Sequence, residues 1–321
     1  MSANLQQPIF QDETKAREWL EARIWPNGPA CPHCGNADSA RIRHLEGKAH
    51  RAGVYQCNEC REQFTVTVGT VFERSKIPLT KWLAALFLLV SSKKGISAHQ
   101  MHRMLGLSYK SAWFMMHRLR EAMREGPLSP LGGEGKTVEI DETLSGRQEG
   151  APPVKGSGRG YGSAWRNCVL TLVERGGSAR SFHVSGTTIG TLMPIIRANV
   201  NRETAVMTDE ASWYKSLTKE TKIASHDTVN HSREEYVRYE GEKTISTNTV
   251  EGFYSIFKRG MKGVYQHCGE KHLHRYLAEF DYRYNTRVKL GWTDMMRAEK
   301  LASNIVGKRL MYRRPVEQQA A

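Results

Sequence analysis

Four cysteines impose the tightest constraint on how this chain can fold. Cys31-Pro32-His33-Cys34 and Cys57-Asn58-Glu59-Cys60 are two Cys-x-x-Cys knuckles separated by 22 residues, a spacing that lets four thiolates close tetrahedrally on one Zn²⁺. A segment of roughly 45 residues can hardly supply its own hydrophobic core, so the metal replaces one. The stretches ARIRH, AGVYQC and QFTVTVGTVF alternate as short strands do, and 30–75 reads as a zinc ribbon. His33 is the nearby spare ligand and reads as surface. A redox use of these cysteines requires a thioredoxin-like βαβ setting, which the flanking sequence lacks. Zinc ribbons bind nucleic acid or protein; Arg41, Arg43, His44, Lys48 and Arg51 fit either a DNA contact or a solvated hairpin tip.

Cys168 and Cys268 stand apart from the knuckles, which suits metal binding in a reducing compartment better than a disulfide framework. The 321 residues allow two or more domains, and 39% hydrophobic content suffices for folded cores. Lys and Arg total 47 against 33 Asp and Glu, a net charge of +14 with a pI near 9.6, so a polyanionic partner is favoured. The opening MSANLQQPIFQDETKA lacks a signal-peptide pattern, and the longest strongly apolar stretch, Trp82 to Val90, is too short to span a bilayer. A soluble, cytoplasmic, nucleoid-associated protein is expected.

Residues 12–25 predict a short helix ended by Pro26-Asn27-Gly28-Pro29. Residues 78–124 read as helices, with Trp82, Leu83, Leu86, Phe87 and Leu89 as core. Within them Ser97 caps a helix carrying Met101, Met104 and Leu105, Gly106 turns, and Ser108 caps the next helix. This is the grammar of a helix-turn-helix. Ala112, Met115, Met116 and Leu119 would face its core, leaving Tyr109, Lys110, Ser111 and Trp113 to reach a major groove. After a Pro/Gly linker at 127–135, strands are expected at 136–143, 167–175, 179–185 and 204–209, and helices at 188–199, 247–262 and 270–286. The glycine-rich 146–165 is an irregular basic insertion, either lining a nucleic-acid groove or passive.

Three acids carry the chemistry. Asp141 ends the alternating run of Val138 and Ile140, Asp209 follows Ala205-Val206-Met207, and each is expected at a strand exit. Glu251 and Lys258 lie two helical turns apart and share one face. Two strand-end acids beside a helical one are a donor set for two Mg²⁺ ions that activate water or a 3′-hydroxyl for in-line attack on phosphate. Trp213 and Tyr214 read as packing beneath the second acid, and His226 and His231 as surface. In the last helix Leu273, Tyr276, Leu277, Phe280 and Tyr284 form an apolar stripe, with Arg275, Arg283 and Arg287 elsewhere on its surface.

CPHCG…CNEC, FTVTVGTVFERSKIPLTKW, LGLSYKSAWFMMHRLR, IDET, MTDEA and NTVEGFYSIFKRGMKGVYQH together resemble a bacterial insertion-sequence DDE transposase over nearly the whole chain. The likeness is narrowest to the zinc-ribbon-bearing group called insertion-sequence family fifteen-ninety-five, of the ISXO-like kind. The resemblance implies a multidomain α/β protein. Its parts would be an N-terminal helix (1–29), a ribbon (30–75), a helix-turn-helix segment (76–126), a linker (127–135), an RNase H-like DDE catalytic core (136–290) and a C-terminal tail (291–321). It implies cutting at transposon ends with Mg²⁺ or Mn²⁺, joining of 3′-hydroxyls to target DNA, and a dimer or larger assembly on double-stranded DNA. Asp141 would be the first acid, on the first strand, and Asp209 the second, on the fourth, with Lys258 the basic residue that follows the third. The resemblance leaves that third position open between Glu251 and Asn248: Asn248 would be either a ligand or an N-cap that accepts from the N–H of Val250 or Glu251, and Glu251 is preferred because an anionic oxygen holds a hard cation better than an amide carbonyl does. On that mechanism Asp141 bridges both metals, Asp209 and Glu251 each hold one, Lys258 binds phosphate, and Arg259 and Lys262 extend the basic face. A DNA-binding regulator with an inactive third domain, or a nuclease that cuts without joining, are the competing readings.

Overall fold

A computed structural model describes residues 5–126, 128–152 and 165–311. The chain divides into two compact units: one comprises residues 1–92, 96–123 and 292–321, the other residues 93–95 and 124–291.

The first unit opens with helix α1 (Glu13–Ile24), whose N-cap Asp12 accepts from the Lys15 N–H at 2.9 Å. Strands β1 (Ile42–Leu45), β2 (Val54–Cys57) and β3 (Gln63–Phe64) follow as an antiparallel sheet in the order β1-β2-β3. Trp25 packs edge-on against Tyr55 and Phe64, over a small cluster containing Cys31, Ile42 and Cys57. The expected strand QFTVTVGTVF is cut short after Phe64. Tyr55 pairs with Phe64 and Gln56 with Gln63, so β2 has only Val54 left to offer. The chain turns instead, burying Val66, Val71 and Phe72.

Helices α2 (Leu79–Ser91), α3 (Ala98–Leu105) and α4 (Tyr109–Met123) come next. Helix α2 has no cap of its own at Pro78; Glu13 accepts from the N–H groups of Leu79 and Thr80 at 3.0 and 2.9 Å. Ser97 caps α3 through the Gln100 N–H at 3.1 Å, Gly106 takes the left-handed conformation (φ 60°) that ends it, and Ser108 accepts from the Ser111 N–H at 3.1 Å. Ala112, Met115, Met116 and Leu119 are buried as expected, whereas Met104 is exposed.

The second unit contains β4 (Thr137–Ser145), β5 (Asn167–Glu174), β6 (Ala179–Val184), α5 (Ile189–Asn199), β7 (Ala205–Thr208), α6 (Leu217–Thr221) and β8 (Ser225–Thr228). A hairpin, β9 (Val237–Glu240) and β10 (Lys243–Ser246), leads into α7 (Asn248–Gly260) and α8 (Leu273–Asn285). The five-stranded sheet runs β6-β5-β4-β7-β8, with β5 antiparallel to both neighbours and β4, β7 and β8 parallel. One face buries Ile140, Leu170, Leu172 and Val206 under α5, α6 and Tyr214. The other buries Val169, Val173 and Ala179 under α7 and α8. This is a mixed α/β architecture, helices on both faces of a sheet.

Gly260 permits the approach of α7 to α8, since a Cβ there would lie 2.5 Å from the Phe280 ring. On α8, Arg283 is not on the surface as expected: it is buried and paired with the fully buried Glu279. A charge this enclosed needs its partner. The greater part of the glycine-rich insertion, 153–164, lies outside the described residues.

Residues 291–321, read as a tail, include helix α9 (Asp294–Ser303), which belongs to the first unit. It buries Ala298, Leu301 and Ala302 and ties to α1 through Arg23 and Glu299 at 2.5 Å. No helix among the described residues is long and apolar enough to cross a membrane.

Candidate active site and zinc centre

Side chains on a strand alternate between faces. Asp141 faces Thr171 across the β4–β5 ladder and Glu139 faces Val173, so both carboxylates lie on the α7 side of the sheet. The parallel ladder pairs Glu139 with Met207; Asp209, two residues on, keeps that side. Helix α7 lies over the same face, where the Tyr254 hydroxyl donates to the Asp141 carbonyl at 2.6 Å and to the Val169 carbonyl at 3.1 Å. Glu251 and Lys258 ride on this helix, with the Lys258 ammonium 5.9 Å from the Tyr254 ring centre.

Two expectations change. Asp209 does follow the last residue of its strand, but Asp141 sits inside β4, which continues to Ser145 because β5 pairs with it along its full length. Only the β7 side opens there, since the parallel pairing ends at Glu139. Asn248 is the first residue of α7 and exposed, not its N-cap; the cap position is Thr247, whose hydroxyl donates to Glu251 at 2.8 Å. The open N–H groups of Thr249 and Val250 instead meet Glu139, at 2.7 and 3.0 Å.

A cavity of about 860 Å³ opens beside the acids, lined by Asp141, Glu142, Asp209, Trp213, Lys258 and Lys262 among others. Glu251 and Asn248 are outside its lining. Burial pushes Asp141 up to about 7; the Glu142 N–H opposes the rise, Asp209 and Glu251 add to it, and Lys258 opposes it. Burial likewise pushes Glu142 up to about 8, against the Tyr214 hydroxyl that donates to it. Asp209 is also raised, by burial first and then by Glu210, while the Ala211 N–H and His231 pull it down. Crowded, partly desolvated carboxylates of this kind are hard oxygen donors, a donor set that fits Mg²⁺ or Mn²⁺.

The sequence reading did not single out Glu139 or Glu142, and His231, read as surface, stands beside Glu251 instead. His231 Nε2 lies 3.5 Å from Glu251, and the Ser232 hydroxyl together with the backbone N–H groups of Ser232 and His231 donates to Glu210, holding that carboxylate down to about 2. The one sequence signal was in VEIDET itself, where acids occupy successive inward positions of an otherwise apolar strand.

The zinc ligands behave as read. The sulfurs of Cys31, Cys34, Cys57 and Cys60 all lie within 4.8 Å of one another, with 3.6 Å between Cys31 and Cys60 and 3.7 Å between Cys34 and Cys57. Tetrahedral zinc with bonds of about 2.3 Å separates its sulfurs by about 3.8 Å. Among the described residues this is the only group of three or more such side chains that close together; the acids are neighbours at longer range.

Of the expected DNA-contacting residues, Tyr109 and Lys110 are exposed at the start of α4, and Tyr109 stacks on His99 at 4.3 Å. Ser111 and Trp113 are half-buried, Trp113 against His117 at 4.2 Å. Arg259 is exposed and folds back onto the Ser255 carbonyl at 3.0 Å, while Lys262 reaches the cavity.

Residues 130–285 match the ISXO2-like transposase domain, and residues 11–63 match the transposase zinc-ribbon domain of the same IS1595 family. The chain belongs to the IS1595 family of transposases. This transposase is also similar to an uncharacterized protein in transposable element ISH50 of Halobacterium salinarum, 27% identical over 284 residues, 85% of this chain and 91% of the relative. The match places the four cysteines in a zinc ribbon, which with their geometry makes the first metal centre a Zn²⁺ site. A solved pre-cleavage Mos1 transpososome is 9% identical and covers 65% of this chain and 78% of its own; at a TM-score of 0.16 the likeness is too slight to bear on the fold.

Proposed function

We propose that this transposase is a DDE-type enzyme that binds the ends of its element, cuts phosphodiester bonds and joins the 3′-hydroxyls to target DNA. The observation that carries the reading is the convergence of Asp141, Asp209 and the Glu251–Lys258 helix on one face of one sheet, beside a cavity that also presents Lys262 and Arg166. Numbered within the second unit, the strand order is 3-2-1-4-5 with strand 2 antiparallel, and the acids lie on strand 1 and just after strand 4. That topology supports an RNase H-like core.

In this reading Asp141, Asp209 and Glu251 hold divalent metal, with Glu251 the third acid and Asn248 a bystander at the helix start. When bound, the metal supplies charge stabilisation for the attacking and leaving oxygens of an in-line displacement. Lys258 and Lys262 bind phosphate oxygens along the cavity as point charges, and Arg166, which also lines it, adds a guanidinium. Glu251 draws support for its role from its Coulombic effect on Asp141 and from the Thr247 hydroxyl that orients it.

The α3–turn–α4 segment presents Tyr109 and Lys110 to DNA as a helix-turn-helix reader, the net charge of +14 supplies sequence-independent attraction, and the enzyme works as a dimer or larger assembly holding two ends. The test is incubation of the purified protein with duplex end DNA and a plasmid target, with and without Mg²⁺. Covalent joining only with Mg²⁺ supports transposition; cutting without joining makes the protein a nuclease, and binding alone makes it a regulator.

A further inference from the structure

Glu139 is fully buried, two residues before Asp141 on the same strand, and its carboxylate accepts four hydrogen bonds. Oε2 takes the N–H groups of Thr249 at 2.7 Å and Val250 at 3.0 Å; Oε1 takes the Thr249 hydroxyl at 2.8 Å and the Arg175 Nε–H at 2.6 Å. Arg175 spends its remaining donors on the Thr244 carbonyl at 2.6 Å, the Ser246 carbonyl and hydroxyl at 3.0 Å each, and Met207 Sδ at 2.9 Å. The pair therefore touches β4 two residues before Asp141, β7 two residues before Asp209, strand β10 as it enters α7, and the first turn of α7 beside Glu251.

A buried ion pair contributes little net stability over a packed apolar pair, and its better-attested use is to select one arrangement. Here a carboxylate at a helix N-terminus meets both exposed N–H groups and the positive end of the helix dipole, which fixes the height and rotation of α7 over the sheet. We propose that Glu139, held by Arg175, is a positioning residue that sets where Glu251 stands relative to Asp141 and Asp209, and so sets the affinity of the site for divalent metal. The inference rests on the metal-binding reading of those acids. Glu139 meets the helix N–H groups and is outside the cavity lining, so it acts on the site through α7.

The test is Mn²⁺ binding to the full-length, zinc-loaded protein, followed by the electron paramagnetic resonance signal of free Mn²⁺, for wild type and for Asp141→Asn, Glu139→Gln and Thr249→Val. Loss of an outer partner of a metal ligand costs about 10–100-fold in affinity. Glu139→Gln is expected to weaken Mn²⁺ binding by at least about tenfold, and Thr249→Val to weaken it less but in the same direction. Both should keep wild-type circular dichroism and end-DNA binding, which a general loss of structure would not allow. Mn²⁺ affinity at wild-type level in Glu139→Gln and Thr249→Val, with binding abolished in Asp141→Asn, overturns the positioning role and leaves the metal site standing. Unchanged affinity in Asp141→Asn overturns both. If Glu139→Gln does not fold, Thr249→Val decides alone, because it removes one hydroxyl and leaves the backbone cap in place.

Discussion

The Trp213 indole N–H donates to the Glu142 carboxylate at 3.0 Å, so the aromatic that follows the second acid is tied to the residue that follows the first. The Tyr214 hydroxyl donates to the same oxygen. Glu142 projects to the face opposite Asp141, and the two aromatics give it the donors that its burial requires. Tyr214→Phe takes one of the two aromatic donors from this half-buried carboxyl group. It should destabilise the protein by about 1–3 kcal/mol in urea unfolding, with m unchanged.

The raised acids make stability pH-dependent. Asp141 stands at about 7 and Glu142 at about 8 in the folded chain, against ordinary values of 3.8 and 4.5. Between those limits the unfolded chain has released protons that the native state still holds, so stability falls as pH rises through this window. Thermal melts of the Mg²⁺-free, zinc-loaded protein should show a declining midpoint from about pH 5 to about pH 8. On the proposed metal-binding role Mg²⁺ competes with the Asp141 proton, so its affinity should rise over that range and flatten the part of the decline that Asp141 contributes.

Zinc removal should act locally on the ribbon. Cys57→Ser takes away a fully buried ligand, and the cluster around Trp25, Ile42 and Phe64 is too small to hold without the metal. Metal analysis should fall from one zinc per chain to none, and amide exchange across residues 31–64 should rise towards unprotected rates. Retention of both zinc and protection would show that three cysteines suffice.

Lys258 lines the cavity and lies over Tyr254. Lys258→Gln should lower the cleavage rate by about a hundredfold, the loss of one well-placed charge at the reacting phosphate, with end-DNA affinity within about twofold. A large drop in affinity with the rate preserved would place Lys258 in DNA binding instead.

Much of this architecture was legible in the residues. The cysteine spacing, the Ser97 and Ser108 caps and the apolar run before Asp209 are local signals, and each has its expected local structure. What was hidden was non-local. Asp141 looked like a strand end because nothing in IDETLS reveals that β5 pairs with it as far as Ser145. Nothing in VEIDET marks Glu139 as more than a strand residue, and only the arrival of α7 from 110 residues away makes it a helix cap. Strands β8, β9 and β10 are short and half-exposed, with too few apolar residues for periodicity to mark them. Helix α9 was obscured by the charged residues that cover its outer face.

On the proposed mechanism Asp141 and Asp209 hold the metal that drives strand cleavage. The direct measurement is Mg²⁺-dependent cutting of labelled end DNA by Asp141→Ala and Asp209→Ala, alongside their affinity for the same DNA. Both variants are expected to bind with wild-type affinity and to release no cleaved strand. Cleavage at wild-type rate by either one would contradict the assignment.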